Sequence, residues 1–526
     1  MSAEQSPAAP GPAGPGAPDA PDAPEGDYDF VVVSNRLPVE RVLEHGEASW
    51  RPSPGGLVAA LSPVMARNAG AWVGWHGAAD EKLERFDHDV FHLAPVPLSA
   101  DEVREYYEGF SNATLWPLYH DVIAPPEFHR AWWNVYRRVN RRFASRTAEV
   151  AAPGATVWVQ DYQLQLVPRM LRELRPDLTI GFFNHIPFPP LEIFGQLPWR
   201  RAILDGLSGA DLIGFQRPGD AQNFQRCVRR FLGVAFRQGR ARFGEGEDAW
   251  TLRAHSYPIS IDAAAIEEIA SRPEVRARAE EIRHELGDPE TVFLGVDRLD
   301  YTKGILHRIK AYGELLEEAK LTVGPSVLVQ VANPSRERVE SYVHLREKVE
   351  GLVGHLNGQH DTISHTAIRY LHHGYPFEEM VALYLATDVM LVTSLRDGMN
   401  LVAKEYVAAR TDGSGVLVLS EFTGAAEQLK KALLINPHDI DGLKEAMLRA
   451  RSMPPAEAKK RMRAMRRQVL GNDVNDWSET FLRDLAATRG GPEGTTAVTT
   501  PGTTTGTTAD AAAGSTAGSA AGRKEL

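Results

Sequence analysis

Thr291-Val292-Phe293-Leu294-Gly295-Val296-Asp297 is an apolar run closed by a carboxylate, and Arg298-Leu299-Asp300-Tyr301-Thr302-Lys303-Gly304 follows it directly. A short run rich in β-branched and aromatic residues has the pattern of a strand covered on both faces. Residues 305–319 then carry a helical pattern, so the unit reads strand, loop, helix. Further strands are expected at residues 326–332, 367–372, 388–393 and 416–420, with helical sequence between them, as at 401–409. Alternation of this kind implies a parallel sheet covered by helices.

Upstream, the same rhythm recurs. Tyr28-Asp29-Phe30-Val31-Val32-Val33-Ser34 reads as a buried first strand, and further strands are expected at 156–160, 179–184 and 211–216, separated by helices at 164–174 and 199–207. The break between the two series falls near 258–262, before a charged, helix-forming stretch at 263–286. The fold class is therefore α/β, with two doubly wound, Rossmann-like domains over residues 27–260 and 261–471. An amphipathic segment follows at 472–488. Residues 1–26, rich in Pro, Ala and Gly, and 489–526, rich in Thr, Gly and Ala, read as disordered tails that cannot build a core.

With 526 residues the chain exceeds what one core usually supports. The net charge of −11, from 58 basic and 69 acidic residues, disfavours nucleic acid and anionic membranes as partners and requires a local basic pocket for any phosphorylated substrate. One cysteine, Cys227, excludes an intramolecular disulfide and a thiolate-rich metal site, as expected in a reducing cytoplasm. No P-loop and no His-Glu-x-x-His pattern is present, and His355, His360 and His365 do not complete a metal site.

In open α/β sheets ligands sit beyond the carboxyl ends of strands. Arg298 and Lys303 there, facing the start of a helix, would make a diphosphate site. Ser394-Leu395-Arg396-Asp397-Gly398-Met399-Asn400 occupies the equivalent place after residues 388–393. Asp397 is suited to sugar hydroxyls and Glu405 to a ribose; helix capping by Asp397 or Asn400 is the plainer alternative. His185 and Asp161 end two strands of the first series, where a ring N–H or a carboxylate meets a hydroxyl. Pro54-Gly55-Gly56-Leu57 lets backbone approach a ligand, Arg36 is placed for a phosphate, and Trp72, Trp75, Tyr107 and Trp116 offer flat faces to a sugar.

In order along the chain, Val31-Val32-Val33-Ser34-Asn35-Arg36, Pro54-Gly55-Gly56-Leu57, Tyr106-Tyr107-Glu108-Gly109-Phe110-Ser111-Asn112, Leu115-Trp116-Pro117, Phe182-Phe183-Asn184-His185-Ile186-Pro187-Phe188-Pro189, Arg298-Leu299-Asp300-Tyr301-Thr302-Lys303-Gly304 and the segment 396–406 closely resemble the trehalose-6-phosphate synthase family, from about Tyr28 to Leu485. The resemblance implies the GT-B arrangement, two Rossmann-like domains facing across a cleft, with the final helix returning to the first. It implies transfer of glucose, with retention, from UDP-glucose or GDP-glucose to glucose 6-phosphate, giving trehalose 6-phosphate. On the donor side it assigns Arg298 and Lys303 to the diphosphate, Gly56 to close approach, Asp397 to the transferred glucose, Glu405 to the ribose, and Met399, Asn400, Leu401 and Val402 to neighbouring contacts. On the acceptor side it assigns Arg36, Tyr107, Trp116 and Arg336, with Asp161 and His185 lining the reacting sugars. No metal or cofactor is implied; homo-oligomers are common in the family, with the oligomeric state of this chain left open, and a separate phosphatase is expected to act on the product. The run Gln160-Asp161-Tyr162-Gln163 departs from the family's commoner His-Asp-Tyr pattern, and the glycine segment lacks a later glycine some members carry. An enzyme with another acceptor and a noncatalytic sugar-phosphate sensor are the rival readings.

Overall fold

The structure, a computed structural model, describes residues 26–44, 47–53, 56–246 and 249–488. Apart from Gly26, the tails read at 1–26 and 489–526 lie outside these residues, as do Pro54 and Gly55. The amino-terminal strands are β1 (Tyr28–Arg36), a hairpin of β2 (Val39–Glu44) and β3 (Glu47–Pro52), β4 (Ala71–Trp75), β5 (Phe86–His88), β6 (Phe91–Pro95), β7 (Ala151–Gln160), β8 (Thr179–Asn184), β9 (Leu212–Phe215), β10 (Arg240–Phe243) and β11 (Trp250–Ser256). Nine of them form one sheet in the order β10-β11-β9-β8-β7-β1-β4-β6-β5, antiparallel only at its two ends. Val31, Val32 and Val33 on the central strand are fully buried, as expected where helices cover both faces.

The second sheet holds β12 (Thr291–Arg298), β13 (Ser326–Asn333), β14 (Ile368–Leu371), β15 (Val389–Val392), β16 (Val416–Ser420) and β17 (Leu433–Ile435), all parallel, in the order β14-β13-β12-β15-β16-β17. Strand β11 ends at Ser256 and the next helix begins at Ala263, so residues 257–262 carry the chain from one sheet to the other. The helix-forming stretch 263–286 holds two helices, Ala263–Ser271 and Pro273–Glu285. Arg272 precedes a proline and takes φ −64°, ψ 133°, because the pyrrolidine ring excludes the helical conformation there. The expected helix at 164–174 starts only at Val167, after a tight turn over Tyr162–Leu164.

The helix Val474–Ala486 lies against the first sheet. Asp473 starts it, its carboxylate accepting from Asn475 and Asp476 N–H at 2.8 and 2.9 Å. Phe481 stacks on Trp158 with ring centroids 4.8 Å apart, and Trp477 meets Phe183 at 5.0 Å. Glycine is required beneath them: a Cβ on Gly181 would come 2.8 Å from Leu485 Cδ2 and 2.9 Å from Phe481 Cε1. Cys227 is wholly buried on the helix Pro218–Leu232, and burial pushes its thiol up to about 12. Among the described residues no helix is long and apolar enough to cross a membrane.

Candidate active site

The carboxyl ends of β12 and β15 meet at Gly304. Its φ of +63° suits glycine, and a Cβ there would strike the Thr393 carbonyl, so the loop after β12 can close on β15 only without a side chain. That closure aims Lys303 at Asp397: Nζ lies 2.6 Å from Oδ2, with both side chains almost covered. Asp397 also accepts from Met399 N–H at 3.2 Å, Asn400 Nδ2 at 3.2 Å and Ser394 Oγ at 3.4 Å. Burial alone would raise its carboxyl, but the Lys303 charge and these hydrogen bonds hold it below the ordinary range. The capping role belongs to Asn400, which accepts Ala403 N–H at 3.0 Å from a φ of +69°. Glu405 lies farther along that helix, where Tyr384 OH donates to it at 2.9 Å and burial raises its carboxyl. Leu401 and Val402, the first residues of the helix, are half-buried, as is Met399.

A second group gathers around Trp116. Arg336 stands 3.8 Å over its ring and Arg298 5.4 Å. Arg336 belongs to the loop after β13 yet reaches the first lobe, donating to Tyr162 OH at 3.0 Å; on its own side it meets Asp300 at 3.3 Å and Tyr342 OH. Burial would raise the Asp300 carboxyl, but Arg336, Arg298 and Lys303 bring it down to about 2. Arg336 itself has φ +50°. Arg36, at the end of β1, lies 4.2 Å over Trp75 and 5.9 Å from the Tyr107 ring. Burial would raise the Tyr107 hydroxyl, but Arg336, Arg36 and Arg298 together lower it, so three cations converge on one phenol. Asp161, with φ +70°, faces the same space, and burial pushes its carboxyl up to about 7 against the pull of Arg298 and Arg336.

Two expectations need correction. Trp72 offers no face to a ligand: it is fully buried and its Nε1 donates to Ser34 Oγ at 2.7 Å. The His185 ring is not free to donate to a sugar, because Gln160 Oε1 lies 2.9 Å from Nε2 and Gln216 Nε2 lies 3.4 Å from Nδ1. The His185 carbonyl is what faces the other lobe, packed where a Cβ on Gly398 would come within 2.5 Å, while its N–H bonds to Asp161 Oδ1 of its own lobe at 3.1 Å. Gly56 opens the helix Gly56–Asn68.

Sequence reasoning missed three participants. Tyr162 joins the lobes, accepting from Arg336 while donating to Asn112 Oδ1 at 2.8 Å; its signal was its place beside Asp161. His120 lies tilted against Trp116 with ring centroids 4.1 Å apart, and burial lowers its imidazole to about 4; it follows the Leu115-Trp116-Pro117 segment by three residues. Asp300 lay inside the quoted loop, but nothing in the sequence marked it as the counter-ion of Arg336. Around this cluster Trp116 Nε1 and Arg336 Nε are buried donors without an acceptor among the described residues. Donors left open beside cations describe a place for a substrate rich in acceptor oxygens.

Two parallel-sheet lobes whose facing loops bring cations, carboxylates and an aromatic platform together define a glycosyltransferase with the GT-B arrangement. The comparisons give the family. Residues 28–487 match the model of glycosyltransferase family 20, and the chain belongs to that family. It is 56% identical over 480 residues to the trehalose-6-phosphate synthase of Mycolicibacterium smegmatis, covering 90% of this chain and 95% of that protein. Among solved structures it resembles the UDP-forming alpha,alpha-trehalose-phosphate synthase of Burkholderia xenovorans in complex with glucose-6-phosphate, at TM-score 0.80 and 34% identity over 87% of this chain and 99% of the other. A trehalose-6-phosphate synthase studied with bisubstrate glycomimetics for glycosyl transfer with retention gives TM-score 0.78 and 35% identity, over 87% of this chain and 99% of that one.

Proposed function

We propose that this glycosyltransferase moves glucose, with retention, from UDP-glucose or GDP-glucose to glucose 6-phosphate, yielding trehalose 6-phosphate and the nucleoside diphosphate. The observation that carries the reading is the pair of unmatched buried donors on Trp116 and Arg336, beside the convergence of Arg36, Arg298 and Arg336 on Tyr107. A sugar phosphate brings both the oxygens and the charge that this arrangement lacks. The names of the relatives support the same pair of substrates.

In this reading Arg36, Tyr107, Trp116 and Arg336 hold glucose 6-phosphate. The donor sits across the cleft, with Gly56 close to it, its diphosphate on Arg298 and Lys303, its glucose on Asp397, its ribose on Glu405, and Met399, Asn400, Leu401 and Val402 around it. Lys303 and Asp397 already bond to each other, so donor binding divides the Lys303 protons between carboxylate and diphosphate. The bond from anomeric carbon to diphosphate oxygen breaks while the acceptor hydroxyl attacks the same face, and its proton passes to the departing diphosphate. Arg298 and Lys303 stabilise the charge that develops there. Asp161 and the His185 carbonyl line the reacting sugars, and no step calls for a metal or cofactor.

The test is incubation of the purified protein with glucose 6-phosphate and, in parallel, UDP-, GDP- and ADP-glucose, following nucleotide release and a phosphorylated disaccharide. The expected result is disaccharide from UDP-glucose or GDP-glucose. Nucleotide binding without transfer from any donor would overturn the assignment.

A further inference from the structure

Gln160, Gln216 and Lys404 are buried and have no part in the reaction as written, yet they form one continuous hydrogen-bonded path between the lobes. Gln216 sets its polarity. Its Oε1 accepts the backbone N–H of Ile259 at 2.9 Å, and because an N–H only donates, the amide nitrogen of Gln216 is the end that faces His185 Nδ1. Nδ1 is therefore the acceptor, Nε2 carries the proton, and Gln160 Oε1 receives it at 2.9 Å. On the other side of the same residue, Ile259 O accepts from Lys404 Nζ at 2.6 Å. Ile259 lies in the segment that carries the chain between the sheets, and Lys404 neighbours Glu405 on the donor-side helix Leu401–Ala409.

Lys404 is 3% exposed, and burial lowers its ammonium to about 7 with no carboxylate to offset it. A buried amine satisfied by one carbonyl costs stability that an unbranched apolar side chain of similar length would not. Its bond to Ile259 fixes where the crossover sits on the second lobe, as Gln216 fixes where it sits on the first. Gln216 Nε2 also lies 3.9 Å from Met399 Sδ in the donor loop, so the path closes on itself across the cleft.

We propose that Gln216 and Lys404 are positioning residues that pin the crossover at Ile259 to both lobes, holding the acceptor wall around His185 in register with the donor helix during transfer. A displacement of about 1 Å between reacting atoms lowers rates by roughly 10²-fold, and the pin removes the slack that would permit it. The inference rests on the glucosyl-transfer reading, so one arm of its test needs no turnover.

In protein labelled with ¹⁵N-histidine, His185 is expected to show a protonated Nε2 and a bare Nδ1. In Gln216→Glu the carboxylate keeps the Ile259 bond but only accepts, so Nδ1 should gain a proton. A bare Nδ1 in that variant, or a bare Nε2 in the wild type, overturns the path whether or not the protein turns over. In the kinetic arm, Gln216→Leu and Lys404→Met should each lower kcat about 10-fold or more, with both KM values within about threefold. The double variant should be no worse than the poorer single, because both act through the same residue, Ile259. Multiplicative losses, or kcat within twofold of wild type in either single variant, overturn the proposal. Should Gln216→Leu fail to fold, Gln216→Met, which also removes the Ile259 bond, and Lys404→Met carry the same cycle.

Discussion

Arg298 and Lys303 belong to one loop but differ in what their removal leaves behind. Arg298 stands exposed over Trp116, and among the described residues it is in no ion pair. Arg298→Ala should therefore lower kcat by about 10²–10³-fold while leaving Tm unchanged, as steady-state kinetics and thermal melts would show. Lys303→Ala should match it in activity and also lower Tm, because it leaves the buried Asp397 carboxylate without its cation. Asp161 gives a different signature. Its carboxyl is held from the ordinary 3.8 up to about 7 by burial, so ionising it opposes folding. Its contribution favours the folded state below about 4 and is lost as pH rises through about 7. Asp161→Asn, which keeps an oxygen for the His185 N–H and tolerates the positive φ, should be more stable than wild type by about 1–3 kcal/mol at pH 8. That margin should shrink toward pH 4 in melts across the range, while transfer is lost.

At the scale of elements, the carboxyl-terminal helix shows what tertiary packing adds to sequence pattern. Phe481→Ala should cost about 3–5 kcal/mol in denaturant titrations, because the ring fills the space between Trp158, Phe183 and Tyr257. Amphipathicity alone marked residues 474–485 as a helix in need of a partner. The first sheet as that partner depended on the glycines at 181 and 214, which clear its face only once β8 and β9 are side by side. Strands β12 and β1 were legible because both of their faces are apolar. The edge strands β5 and β10, and β6 beside one of them, were not, since they carry polar residues such as Asp87, Arg242 and His92, whose alternation is weak. Of the site, the loops after β12 and β15 could be read as strand ends. Arg336 could not be, because its turn owes its meaning to Trp116 and Tyr162, which lie some 170 or more residues earlier and meet it only across the cleft.

Among the described residues the two large sheets meet through specific loop contacts. Arg217 meets Glu427 at 2.8 Å, Arg396 meets Asp121 at 3.2 Å, and Gly398 rests against the His185 carbonyl. The first pair is largely exposed on its acidic side and contributes little by itself. Gly398 is different, because the atoms facing it are backbone and cannot rotate away. Gly398→Ala should hold the lobes apart and lower kcat by about 10²-fold, with a far-UV spectrum and Tm close to wild type.

The buried Cys227 makes such movements open to direct observation. With its thiol enclosed and pushed up to about 12, it stays inert to maleimide or nitroxide reagents at neutral pH. A pair of cysteines introduced on opposite lobes can thus be labelled without first removing a native one, and the distance between them followed as each substrate is added.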